Sequence, residues 1–389
     1  MGQPNSPWKA PESKRYIDPV TEQYMMFPYD LSGSRPSLYP EDFLRQRFPL
    51  AYAHLLSHKE ILEARDGGDW VGSKWYGYSR SQNLDKQFIP KLCSARLVPS
   101  LRMMLDEKGV FCLHDNNMFG ILPATDVDVW FLLGILNARV TDFVFRRSAR
   151  PKSSGYFQAD RQFLAPLPIP DASLEQRAEV GTRARELQEL HTRRRDTIAK
   201  LDQRLHSAQT APVSPAPKEE WLWSAIRTPA TWKQSSAAPA GLSARDLTAW
   251  AKQQHAAALQ ERHDTLDALL QPGVAITVTN TEDELALHIG GREILRHFDR
   301  LHLPFTAAQW RHALRGLNVT EAFNATRLLK LLLTLRTTTE DTLRDRILAL
   351  DQEITTLDQT LATKESELNA LIYQLYHLTP EEIAMVEGG

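Results

Sequence analysis

A heptad rhythm near the C-terminus constrains this chain more than any other feature. Leu343, Ile347, Leu350, Ile354, Leu357, Leu361, Lys364, Leu368, Leu371 and Leu375 alternate four and three residues apart. That spacing keeps one apolar stripe on a helix over several turns and needs a partner to cover it; Lys364 is the one polar break. An earlier segment carries the matching rhythm at Val180, Ala184, Leu187, His191, Arg194, Ile198, Leu201 and Leu205. It follows a capping-box spacing at Ser173-Leu-Glu-Gln176, which predicts a helix running to about Ser207. From Glu175 to Arg204 the first segment holds eight basic and six acidic residues, whereas Thr337 to Gly389 holds three basic and eleven acidic, a balance of −8. Opposite charge and equal period predict a long antiparallel two-helix coiled-coil arm within one chain.

The 389 residues have room for two or three domains. The arm divides them into residues 1–172, a first arm helix at 173–209, an inserted module at 210–336, and a second arm helix with a tail at 337–389. In the first segment, Tyr24 to Tyr29 reads as a strand, and Pro40 to Arg65 as helix interrupted at Pro49, stopped by Gly67-Gly68. β-like runs follow at Lys74–Tyr78, Phe88–Cys93, Leu101–Leu105, Val110–His114 and Met118–Leu122, with Pro, Gly and Asn-Asn between them. Residues 126–145 read as one buried helix, and "FLAPLPIP" (163–170) as an edge strand limited by three prolines. The module is entered through "TAPVSPAPK" and a Trp-rich piece (Trp221, Trp223, Trp232). It has a capping box at Ser243–Asp246, a hairpin turning at Gly290-Gly291, and two helices, one capped at Thr306 and one from about Thr320. The fold class is therefore α+β: a mixed α/β domain, the two-helix arm, and a small inserted α+β module.

Catalytic chemistry is hard to place. Gly109, Gly120 and Gly134 are isolated, so no glycine-rich phosphate loop exists, and no Asp/Glu cluster has metal-site spacing. His54 and His58 share a helix face without a third ligand and read as surface histidines. Cys93 and Cys112 lie in apolar runs as small hydrophobes, which fits a reducing cytoplasm. The longest apolar run, Leu328–Leu335, cannot span a bilayer, and the first residues carry no apolar signal segment.

Binding chemistry is easier to place. "KWYGYSRSQNLD" (74–85) packs Trp75, Tyr76, Tyr78 and Arg80 into six residues, with Gln82 following. Arg139 to Arg161 holds six basic and two acidic residues, a balance of +4, interleaved with Tyr156, Phe157 and Gln158. Cations for phosphates beside planar and amide groups for bases are what a nucleic-acid surface needs. Alternation along 74–78 would turn Trp75 inward and leave Tyr76, Tyr78 and Arg80 on the other face.

In order, "YMMFPYD", "FPLAYAHLLSHKEILEARDGG", "WYGYSRSQNLD" and "MLDEKGVFCLHDNNMFGI" resemble the TaqI-like C-terminal specificity domain of adenine-specific DNA methyltransferases, restriction-modification enzymes and phage-defence methylases. The helix "WFLLGILNARVTDFVF" with Asn137, then Gly155-Tyr156-Phe157, "LAPLPIP" and the ending "ELNALIYQLYHLTPEEIAMVEG" are similar to that family too. The likeness covers roughly residues 20–208 and 338–387 and leaves out 210–336. It implies a cytoplasmic specificity subunit, or the C-terminal part of a larger enzyme, that binds double-stranded DNA. The family's glycine-rich cofactor strand-turn and Asn/Asp-Pro-Pro-Tyr/Phe motif are absent here. Methylation, and S-adenosylmethionine with it, is thus expected in a partner or a missing catalytic domain; the implied partners are double-stranded DNA and a methyltransferase and/or nuclease subunit, with no membrane. Trp75, Tyr78, Arg80, Gln82, Tyr156 and Gln158 become candidate base or backbone contacts, and Arg146, Arg147, Arg150 and Lys152 candidate phosphate contacts. The alternative is a coiled-coil scaffold of a defence complex without DNA readout.

Overall fold

Proline places the first helices. In the computed structural model α1 (Glu41–Arg47) ends at Phe48, and α2 (Pro49–Ser57) starts on Pro49, where the missing N–H would be unsatisfied anyway; α3 (Lys59–Glu63) completes the group. The structure describes residues 6–7, 15–17, 24–113, 118–124, 127–208, 219–223, 226–281, 283–298 and 303–388. The expected strand ends at Val110–His114 and the Asn-Asn turn fall partly outside these residues, as does the linker 210–218. Two units emerge, one from residues 1–193 and 359–389 and one from 194–358.

In the first unit, strands β1 (Ser6–Pro7), β2 (Tyr29–Asp30) and β3 (Ser37–Leu38) are short, and β2 pairs antiparallel with β3. Strand structure at Tyr24–Tyr29 is thus confined to its last residue. β4 (Lys91–Ala95), β5 (Leu97–Val98), β6 (Met104–Asp106), β7 (Phe111–Cys112) and β8 (Met118–Ile121) follow. β4 is the centre of an antiparallel sheet in the order β6-β4-β8, and β7 pairs in parallel with β1. All five residues of β4 are buried, so the strand is enclosed on both faces.

The single helix expected at 126–145 is two. α4 (Val129–Asn137) begins at Asp128, whose carboxylate accepts the Trp130 and Phe131 N–H groups, and α5 (Arg139–Ser148) starts after an extended Ala138. The break is compensated: Asn369 Oδ1 accepts the Arg139 N–H at 2.8 Å, and Thr141 Oγ1 donates to the Ile135 carbonyl at 2.6 Å. These helices close the edge of the segment leading into β6. Asp142 accepts from Leu101 N–H at 2.5 Å, Asn137 from Met103 N–H at 2.8 Å, and Gln188 from Leu105 N–H at 3.3 Å. Every second amide along a buried run is thereby satisfied by a side chain where a neighbouring strand would otherwise be needed.

β9 (Phe157–Gln158) pairs antiparallel with β5, and α6 (Arg161–Leu164) follows. "FLAPLPIP" is a correction: it is a short helix end, a turn and unpaired chain, since three prolines remove the donors a strand would use. α7 (Leu174–Ser207) starts on the expected capping box, with Ser173 N–H donating to Gln176 Oε1 at 2.8 Å and Gln176 N–H to Ser173 Oγ at 3.2 Å. Its first turns bury Val180, Ala184 and Leu187. Gly134 permits the approach to α4, because a Cβ there would meet Val180 Cγ1 at 2.8 Å. Within this unit α7 also meets the end of the last long helix through Arg183–Glu367 (3.3 Å), Lys364–Glu186 (3.1 Å) and His191–Glu365 (2.9 Å).

The second unit contains α8 (Pro229–Lys233), α9 (Ala244–Leu269), β10 (Ile276–Asn280), β11 (Glu284–Ile289), β12 (Arg292–Phe298), α10 (Leu303–Leu314), α11 (Ala325–Leu333) and the start of α12 (Asp341–Leu375). The final helix, α13 (Pro380–Gly388), belongs to the first unit. Ser243 caps α9 as expected, accepting the Asp246 N–H at 3.2 Å. β11 and β12 form the expected hairpin, with Gly290 and Gly291 at φ 57° and 78° making its two-residue turn. β10 adds a third antiparallel strand. The cap at Thr306 is a correction, since α10 begins before Thr306, which is buried inside it; the helix expected from about Thr320 begins after Asn324, whose side chain accepts the Arg327 N–H at 3.1 Å. Here the end of α7 packs on the start of α12 through Leu201, Leu205, Ile347 and Ile354, sharing their core with Phe305 and Ala308 of α10. The long helices form a packed helical arm within each unit's core.

Candidate nucleic-acid interface

The segment expected to be a strand at Lys74–Tyr78 is a turn. Gly77 N–H donates to the Lys74 carbonyl at 2.9 Å, and Arg65 donates to the carbonyls of Trp75 and Gly77 at 2.8 and 2.9 Å. Alternation therefore fails. Trp75 and Tyr76 are both buried, in a cluster with Leu44, and the Tyr76 hydroxyl donates to the Tyr39 carbonyl at 2.5 Å. Trp75 is 0% exposed, so its ring lies beneath the exposed segment.

Tyr78 is the post on which the exposed part hangs. Its N–H donates to the Tyr29 hydroxyl at 2.6 Å, its hydroxyl donates to the Met26 carbonyl, and its ring lies 5.1 Å from Tyr29 and 6.0 Å from Phe27. Burial pushes the Tyr78 phenol well above its ordinary range, so it stays protonated. A second post stands at Asn83, in left-handed conformation at φ 57°, with its carbonyl accepting from Lys86 N–H at 3.1 Å. Between these posts Arg80 and Gln82 are exposed.

Arg80 and Gln82 form one wall of a cleft of about 830 Å³ whose other polar lining includes Asn83, Lys86, Gln87 and Arg96. Cys112 lies in its lining, and burial pushes that thiol up to about 12, making it a neutral surface. Sequence patterns missed Lys86 and Arg96. Arg96 is a lone cation between two apolar runs, and only the β4–β5 kink turns it toward the cleft.

The second candidate group lies around β9. Gln158 is opposite Leu97, its N–H donates to the Arg150 carbonyl at 3.0 Å, and its side-chain amide donates to Asp160. Lys152 N–H donates to the Tyr156 carbonyl at 2.7 Å, which folds Arg150, Lys152 and Tyr156 into one exposed turn. Arg147 is exposed at the end of α5 with its guanidinium 3.3 Å from the Phe143 ring centre. Arg146 differs: its Nε lies 3.1 Å from Asp142, the carboxylate that anchors Leu101, and its side chain is about one-third exposed. The two groups meet at Arg96, whose carbonyl accepts the Ala159 N–H at 2.7 Å while its side chain lines the cleft.

Residues 50–169 match the TaqI-like C-terminal specificity domain. That is a non-catalytic domain, and the match takes in the whole of both candidate groups. The chain is also 26% identical over 172 residues to the Type II methyltransferase M.BanIII of Aneurinibacillus aneurinilyticus, an alignment covering 42% of this chain and 28% of that protein. The chain thus spans just over a quarter of the length of the curated relative it matches. Among the described residues no group of three or more His, Cys, Asp or Glu side chains could hold a metal, and no helix is long and apolar enough to cross a membrane. Nor do they fit S-adenosylmethionine by a glycine-rich strand-turn-helix cradle, since Gly67 and Gly68 end a helix and Gly290 and Gly291 turn a hairpin.

Proposed function

We propose that this chain is the sequence-recognition part of an adenine-specific DNA methyltransferase or restriction-modification system, active in the cytoplasm, and that it binds duplex DNA through the face carrying the cleft. The observation that carries this reading is the coincidence of the specificity-domain match with the place where Arg80, Gln82, Lys86 and Arg96 converge. Arg147, Arg150, Lys152 and Tyr156 extend the same strand-linked region outward. Guanidinium forks and amides suit base edges in the major groove, and exposed cations on a turn suit phosphates. S-adenosylmethionine and methyl transfer belong to the catalytic methyltransferase part, which the coiled-coil arm helps to dock; a flipped adenine would be presented there.

The test is fluorescence anisotropy on duplex DNA across a salt series, with the chain alone and with its methyltransferase partner. Replacing Arg147, Arg150 and Lys152 together by Ala is expected to weaken binding to all sequences and reduce the salt slope by about one for each phosphate no longer neutralised. Absence of duplex binding in both settings would favour a scaffold role for the helical arm.

A further inference from the structure

We propose that Arg96 is a specificity-determining residue whose preference for a base edge over a phosphate is set by the negative charge of the neighbouring Asp160. This rests on the DNA-recognition reading above.

Three observations converge on Arg96. Its backbone is fixed between β4 and β5, with the carbonyl bonded to Ala159, so the side chain springs from a rigid frame, unlike Arg80 on its suspended segment. Arg96 lines both the cleft and a neighbouring apolar groove of about 560 Å³, as do Phe119, Gly120 and Leu122. Its side chain is half exposed, and the nearest carboxylate oxygen, Asp160 Oδ1, lies 4.0 Å away, too far for a hydrogen bond. Among the described residues the fork of donors is thus without a hydrogen-bond partner.

Asp160 decides what Arg96 can receive. The carboxylate is itself positioned, since Gln158 donates to its other oxygen and the Asp160 carbonyl accepts the Phe163 N–H at 2.9 Å. A phosphate seated on Arg96 would face this negative charge, whereas the O6 and N7 edge of guanine carries no net charge and matches the fork. An exposed pair of this kind is weak and readily exchanged. The turn bearing Arg147, Arg150 and Lys152 carries no acidic residue between positions 143 and 159, which leaves it the better phosphate surface.

The test uses the full chain. Wild-type protein selects duplexes from a random library, and affinities for a selected and a scrambled duplex are measured across a salt series for Arg96→Ala, Arg96→Lys and Asp160→Asn, after circular dichroism has verified folding. Arg96→Ala is expected to cut the selected-to-scrambled ratio roughly tenfold or more, with little change in scrambled affinity or salt slope. Arg96→Lys should not restore the ratio, because an ammonium cannot form the fork. Asp160→Asn should tighten scrambled binding and steepen its salt dependence. Equal loss on both duplexes for Arg96→Ala, or no change in either, overturns the proposal while leaving DNA recognition standing. A wild-type chain that selects no duplex overturns both.

Discussion

Lys91 and Asp106 form a 2.7 Å ion pair with both side chains sealed from solvent. Lys91 also donates to the Gln87 carbonyl at 2.7 Å, while Asp106 accepts the Val110 and Phe111 N–H groups at 2.9 and 3.0 Å. The pair thereby ties β4, β6 and the segment leading into β7 to a residue of the cleft lining. Lys91→Met strands a buried carboxylate and is expected to cost roughly 3–5 kcal/mol. Adding Asp106→Asn should recover part of that loss, since no net charge then stays buried. Urea titrations of the four members of the double-mutant cycle measure the coupling.

Asn137 imitates a neighbouring strand. Its amide accepts from the Met103 N–H and donates to the Met103 carbonyl at 2.9 Å. Asn137→Ala leaves the Met103 N–H buried without a partner, while the Met103 carbonyl keeps the Tyr16 N–H at 3.0 Å, and is expected to destabilise the first unit by roughly 1–3 kcal/mol. Hydrogen exchange should locate the loss at Met103.

Trp75 and Arg80 are five residues apart and are expected to separate folding from binding. Trp75→Ala empties a fully buried site and should cost roughly 3–5 kcal/mol. Arg80→Ala should shift stability by less than about 0.5 kcal/mol, as for an exposed residue, yet weaken duplex binding. Thermal melts and anisotropy on the same two variants make the comparison.

His312 gives the second unit a pH dependence. Burial pushes its imidazole below the ordinary value, and Arg315 and Arg336 add to this, against the upward pull of Asp202, whose carboxylate lies 3.2 Å from Nε2. The folded state therefore favours neutral His312. The resulting stability is present above the unfolded value near pH ~6.5 and is lost as pH falls toward the lower folded value. His312→Gln should flatten the dependence of the urea midpoint between about pH 5 and 7.

Local chemistry made part of this fold legible. The Ser173–Gln176 and Ser243–Asp246 caps and the Gly290-Gly291 turn each specify their geometry within four residues, and each forms. Lys74–Tyr78 misled because short aromatic runs suit a buried turn as well as a strand, and Arg65, ten residues before Trp75, decides between them. β10 could have been found, since Ile276 and Val278 alternate with Thr277 and Thr279, the pattern of a half-buried strand. Of the candidate site, the exposure of Arg80 and Gln82 and the basic, aromatic character of residues 146–157 were readable from residue type. The approach of Arg96 to Asp160 and the pairing of Arg146 with Asp142 were not, because both depend on carboxylates set in place by the folded backbone.

The posts at Tyr78 and Asn83 have a consequence for how such a surface can diversify. Tyr78 is held by Tyr29 and Met26, and Asn83 by its own left-handed turn, so Arg80, Ser81 and Gln82 form a cassette whose side chains hold no buried part of the frame. Substitution there alters what is offered to a partner without drawing on folding stability. The division between exposed residues and residues that hold the frame lets side chains vary at three positions while the chassis around Asn137 and Lys91 stays unaltered.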